Sequence, residues 1–129
     1  MFTTRVFRPL RALAACLVVV ACSGEPAQVE RTPEQQEQHE LAVLADELRE
    51  AIDAHPAKCK EMGAALAGWY DAKGARFAEL RKKHPKLPGD EWSHWNRMLQ
   101  AINRAQVCVG NPALGMDDPS VKRVLKALE

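Results

Sequence analysis

The chain predicts an all-α fold, a small bundle of three main antiparallel helices with a short C-terminal fourth, held by one disulfide. Three observations lead there. Of its 129 residues 47% are apolar but only 5% aromatic, so the apolar content is mostly Ala and Leu, which favour helix. The period-two alternation and the Val/Ile/Thr runs that mark strands do not occur. Apolar residues instead recur at intervals of three and four, in segments bounded by capping residues, proline or glycine.

The first helix opens at Thr32-Pro33-Glu34-Gln35, a capping residue, a first-turn proline and a Gln at the third position, the arrangement of a capping box. It is expected to reach about Ala54. Its first turns, Gln35 to Glu40, offer no apolar face, whereas Leu41, Leu44, Ala45, Leu48 and Ile52 share one, so only the second half is expected to pack. Pro56 breaks it, because the residue before a proline resists the helical region. A second helix is predicted from Pro56 to Lys83, with Cys59, Met62, Leu66, Trp69, Phe77 and Leu80 inward. Gly63, Gly68 and Gly74 each cost it up to about 1 kcal/mol relative to Ala. Either a partner helix approaches closely over Ala64, Ala65 and Gly68, or the helix bends near Gly74.

His84-Pro85-Lys86-Leu87-Pro88-Gly89 cannot continue a helix, and Asp90 can cap the next. The third helix is predicted from Glu91 to Cys108, with Trp92, Trp95, Leu99, Ile102, Gln106 and Val109 as its bundle seam. Gly110-Asn111-Pro112 ends it. Asp118-Pro119 then starts a short helix to about Leu128, carrying Val121, Val124, Leu125 and Leu128.

Ahead of the bundle, Arg5, Arg8 and Arg11 precede an uncharged stretch from Ala12 to Ala21, and no acid occurs before Glu25. That is the layout of a secretory signal. The uncharged run is about ten residues, half of the roughly twenty a membrane span needs. Val19-Val20-Ala21-Cys22 resembles the lipobox of bacterial lipoproteins, a resemblance confined to about the first two dozen residues. It implies removal of residues 1–21 and lipid on Cys22, the anchored terminus of the mature chain. Leu13-Ala14-Ala15-Cys16 fits the same pattern, but only about four apolar residues separate Arg11 from Cys16, too few for the hydrophobic region. Ser23 stands where some envelope lipoproteins carry a retaining Asp, so the resemblance implies the outer membrane ahead of the inner. Residues 22–32, polar and Gly/Pro-punctuated, would be a tether, and residues 33–129 the helical domain. Two or three acyl chains hold a protein firmly where one does not.

Cys59 and Cys108 are then the remaining pair in an oxidising compartment, which makes a disulfide the default. An antiparallel hairpin of helices 2 and 3 turning near residues 85–88 places both at the same end. No Cys-x-x-Cys and no Cys-x-x-Cys-His occurs, which argues against thioredoxin-like chemistry and covalent haem.

Other chemistries find little purchase. Loss of the leader removes three Arg and no acid, turning the formal charge from +1 to −2, whereas nucleic-acid binding demands a strongly basic face. Ser23, Ser93 and Ser120 lie outside any Gly-x-Ser-x-Gly, and no phosphate loop appears. Glu91 and His94 form one Glu-x-x-His, of which di-iron bundles need two copies plus two further carboxylates. Met62 with a distant His could imitate haem ligation, but a Met on an apolar stripe fills core. His39, His55 and His84 are expected to be solvated. Arg81, Lys82 and Lys83 crowd the end of helix 2, where cations complement the helix dipole or could touch an anionic polymer or lipid headgroup. The reading is a non-catalytic, membrane-anchored envelope lipoprotein without cofactor, whose domain binds another envelope protein; a metal- or haem-binding bundle is the alternative.

Overall fold

A computed structural model describes residues 30–129. The leader, Cys16, Cys22 and most of the tether lie outside the described residues. From Thr32 to Glu129 the chain forms one compact unit of helices α1 (Pro33–Asp53), α2 (Cys59–Lys83), α3 (Gly89–Ala105) and α4 (Pro119–Ala127), with short 3-10 turns at Gln106–Cys108 and Pro112–Leu114. Among the described residues there is no strand beyond the isolated bridge of Asn111 with Met116. None of their helices is long and apolar enough to cross a membrane. The all-α bundle is therefore as expected, as is the disulfide of Cys59 with Cys108.

Helix α1 packs on both α2 and α3, and α4 lies along α2. Pairings across the interfaces give the directions. Glu37 meets His84 and Glu40 meets Arg76, so α2 runs against α1. Asp46 faces His94 and Asp53 faces Arg104, so α3 runs with α1. Phe77, at the centre of the core, is edge-on to Trp69 (centroids 5.2 Å) and stacked on Trp95 (5.6 Å). The capping box at Thr32 is complete: Thr32 N donates to Gln35 Oε1 and Gln35 N to Thr32 Oγ1. Asp118 caps α4 by accepting from Ser120 N and Val121 N.

Several boundaries differ from expectation, each for a local reason. Pro56 does not start α2; the chain makes a corner through Ala57 at φ 60° before the helix begins at Cys59. Neighbouring helix axes lie about 8–10 Å apart, a gap that a single pivot residue cannot cross. Pro88, not Asp90, occupies the cap position of α3, its extended backbone setting the entry direction, while Asp90 and Glu91 sit in the first turn where the dipole favours acids. The α-helical part of α3 ends at Ala105 and a 3-10 turn carries the chain to Cys108.

The first turns of α1 are also engaged, through charge. Arg76 clamps Glu40 with two hydrogen bonds of 2.7 Å, and Lys83 Nζ donates to Glu37 Oε2 (2.8 Å) while His84 Nε2 lies 2.9 Å from Glu37 Oε1; further along the helix Lys73 reaches Glu47. His84, expected in solvent, is 9% exposed, drawn in by this contact at the end of α2. The hydrogen bonds from Lys83 and His84 lower the Glu37 carboxyl from 4.5 to about 2. A carboxyl lowered on folding contributes stability above its unfolded value, which is lost as the pH falls through the folded one. The contribution of this group therefore fades between pH 4.5 and 2. Glu37→Gln is expected to flatten the pH dependence of the melting temperature in that window; an unchanged acid profile would place the acid-labile contact elsewhere.

Helix α2 runs unbroken through its three glycines. The close approach falls at Gly63, not over Gly68: a Cβ at Gly63 would strike the Asp118 carboxylate, whereas one at Gly68 meets nothing within 4 Å. At Gly74 the ring of Tyr70, one turn back, takes the space. Gly68→Ala is expected to raise stability by up to about 1 kcal/mol, since it only relieves a poor helix former. Gly63→Ala gains the same propensity but displaces the α4 cap, a loss of about 0.5–2 kcal/mol, so it should fall below Gly68→Ala in chemical denaturation. Equal stability of the two variants would show that the cap does not depend on Gly63.

Candidate functional site

The face that α3 turns to the core is not the predicted seam. Met98, Ala101, Ala105 and Cys108 are buried, at intervals of three, four and three. Trp92 is 50% and Leu99 42% exposed, Gln106 is exposed, and Trp95 and Ile102 are only partly covered. The helix is thus rotated so that its most apolar stripe lies at the edge of the core, because Ala at positions 101 and 105 lets α1 come close while Trp could not. Cys108 held the missing signal: a bridged cysteine must point inward, and counting back from it by three and four gives Ala105, Ala101, Met98 and His94.

The stripe has a counterpart. Leu125 of α4 and Leu128, its C-cap, stand across from Leu99 and Ile102, and between them lies a cleft of about 170 Å³ floored by Phe77 and Met98 and reached by Arg81. A second hollow of about 390 Å³ on the other side of Leu128, between α2 and the end of α4, shares Phe77, Arg81 and Leu128 with it. The Arg81 guanidinium donates to the Leu128 carbonyl (2.7 Å) and lies 5.6 Å over the Trp95 ring. It ties α2, α3 and α4 together at this end.

The remaining candidates are dispersed. Cys59 and Cys108 are joined, with Cα atoms 5.4 Å apart, within the usual disulfide range. Of the cations at the end of α2, Lys83 pairs with Glu37, Arg81 lies against Trp95 and Leu128, and Lys82 is exposed and lines the larger hollow with Arg81. His94 turns Nδ1 to Asp46 Oδ1 at 3.6 Å, beyond hydrogen-bond length. Burial raises the Asp46 carboxyl, but the Arg49 hydrogen bond and the His94 contact outweigh it and the net shift is downward. Among the described residues no group of three or more His, Cys, Asp or Glu could hold a metal ion. Met62 is 2% exposed in the core. Cys22 lies outside the described residues.

Compared with known protein families, characterised proteins and solved structures, the chain matches none.

Proposed function

We propose that the chain is a lipid-anchored, non-catalytic protein of the bacterial envelope, tethered through Cys22, whose helical domain binds another protein. The observation that carries the binding half is the apolar stripe of α3. Trp92 and Leu99 stand half-exposed on one stripe, Leu99 borders an apolar cleft, and exposed apolar surface beside a cleft is a usual mark of an interaction site. The anchoring half rests on the lipobox-like Val19-Val20-Ala21-Cys22, with the outer membrane favoured over the inner by Ser23. The ordered core, bridged at one end and clamped by charge along α1 and α2, suits a rigid platform.

Fractionation of cells that make the protein tests the reading. The chain is expected in the membrane pellet, released by detergent and retained through high salt and carbonate washes. Recovery in the soluble fraction would overturn the anchor, and a stoichiometric metal or a Soret band in the purified protein would replace protein binding by the cofactor-bundle reading.

A further inference from the structure

The cleft between α3 and α4 has walls poor in acid. Past its first turn, which holds Asp90 and Glu91, α3 contains no acid, and neither does α4 from Pro119 to Ala127. On α4, Lys122 and Lys126 are exposed and share a helix face with Glu129, three and four residues apart. Arg81 reaches in from α2, and Glu129 is the one acid among the lining residues. None of the ion pairs among the described residues uses Arg81, Lys122 or Lys126. Acids of α1 are engaged elsewhere: Asp53 pairs with Arg104 and Asp46 faces His94, both on the side of α3 that meets α1.

We infer that this cleft takes an acidic amphipathic helix of a partner protein, its apolar face laid along Leu99, Ile102 and Leu125 and its carboxylates toward Arg81, Lys122 and Lys126. The inference rests on the protein-binding reading and names its partner chemistry. Helix-in-groove docking uses apolar anchors at intervals of three and four, and Leu99 and Ile102 on one wall and Leu125 and Leu128 on the other are each three apart. The charge excludes two other occupants. The leader carries Arg5, Arg8 and Arg11 and no acid, and a second copy docked through the same cleft would bring the same acid-poor walls. A flat bilayer could touch Trp92 and Leu99 but not the cleft floor at Phe77 and Met98.

The whole chain in zwitterionic nanodiscs is titrated with a synthetic helical peptide carrying Leu at every third and fourth position and Glu elsewhere, followed by tryptophan fluorescence. Saturable binding that weakens with salt is expected, with at least tenfold loss in Leu99→Asp and in Lys122→Glu/Lys126→Glu, and none in Val43→Asp, an exposed apolar residue of α1. Circular dichroism shows whether each variant is folded, and the charge-reversed pair alters exposed side chains only. No binding, equal binding of the Lys-for-Glu peptide, or variants that bind as the parent does would overturn the inference. Stronger association with anionic vesicles than with the peptide would overturn it in favour of lipid. A dimer in sedimentation that Leu99→Asp dissociates would overturn it in favour of a second copy. Fractionation into the membrane is independent of all these results, so the anchor and the groove fail separately.

Discussion

Cys59→Ala/Cys108→Ala is expected to lower the unfolding free energy by about 4 kcal/mol, the value the chain-entropy treatment gives for closing a loop of about fifty residues; the two cysteines are 49 apart in sequence. Against the 5–15 kcal/mol typical of a domain, that is a large share. The bridge joins the start of α2 to the end of the 3-10 turn after α3, two elements brought together otherwise mainly by side chains such as Phe77 on Trp95. Asp118 N donates to the Cys108 carbonyl, and Gly110 N to Asp117 Oδ1 (2.7 Å), so the loop into α4 is built on the same point. Loosening therefore spreads from Cys108 to the Asp118 cap that rests over Gly63. Urea denaturation of the parent under oxidising and reducing conditions, beside the double variant, measures it. Reduced parent and variant are expected to coincide well below the oxidised parent; a variant as stable as the oxidised parent would mean that packing alone holds the two ends.

What the sequence made legible was whatever local chemistry decides. The Thr32 box, the Asp118-Pro119 start of α4 and the apolar face of α1 depend on neighbours within a turn, and they formed as read. The pairing of Cys59 with Cys108 followed from counting and from the hairpin. The rotation of α3 was not legible from hydrophobicity, because Trp92 and Leu99 outweigh Ala101 and Ala105 on any apolar scale, whereas close helix packing selects the small side chains. The role of the first turns of α1 escaped for a related reason. A face of Glu and Gln reads as solvated until Arg76, Lys83 and His84, some 36 to 47 residues away, are known to lie opposite. The candidate site inherits the first of these gaps and adds its own, since it is made of the α3 stripe that the core left partly uncovered and of α4, whose placement along α2 no periodicity announces.

Cys22→Ser is expected to abolish acylation outright. The thioether to diacylglycerol forms at the cysteine sulfur, and a hydroxyl at that position does not replace it. The variant should keep residues 1–21, take up no radioactive fatty acid and migrate as the unprocessed chain. Its attachment would then depend on the leader alone, whose uncharged run of about ten residues is short of the roughly twenty that span a bilayer, so carbonate should extract the variant where it leaves the parent in the pellet. The leader also presents a second four-residue match ending at Cys16, and the two variants separate the choices. With only about four apolar residues between Arg11 and Cys16, a leader processed there would lack the hydrophobic region of 7–15 residues that such signals use. Cys16→Ser should therefore leave labelling and processing as in the parent. Labelling that survives Cys22→Ser and disappears in Cys16→Ser would move the mature terminus six residues upstream, and labelling absent from the parent would remove the lipid anchor altogether, leaving the groove of α3 and α4 to be judged on its own binding.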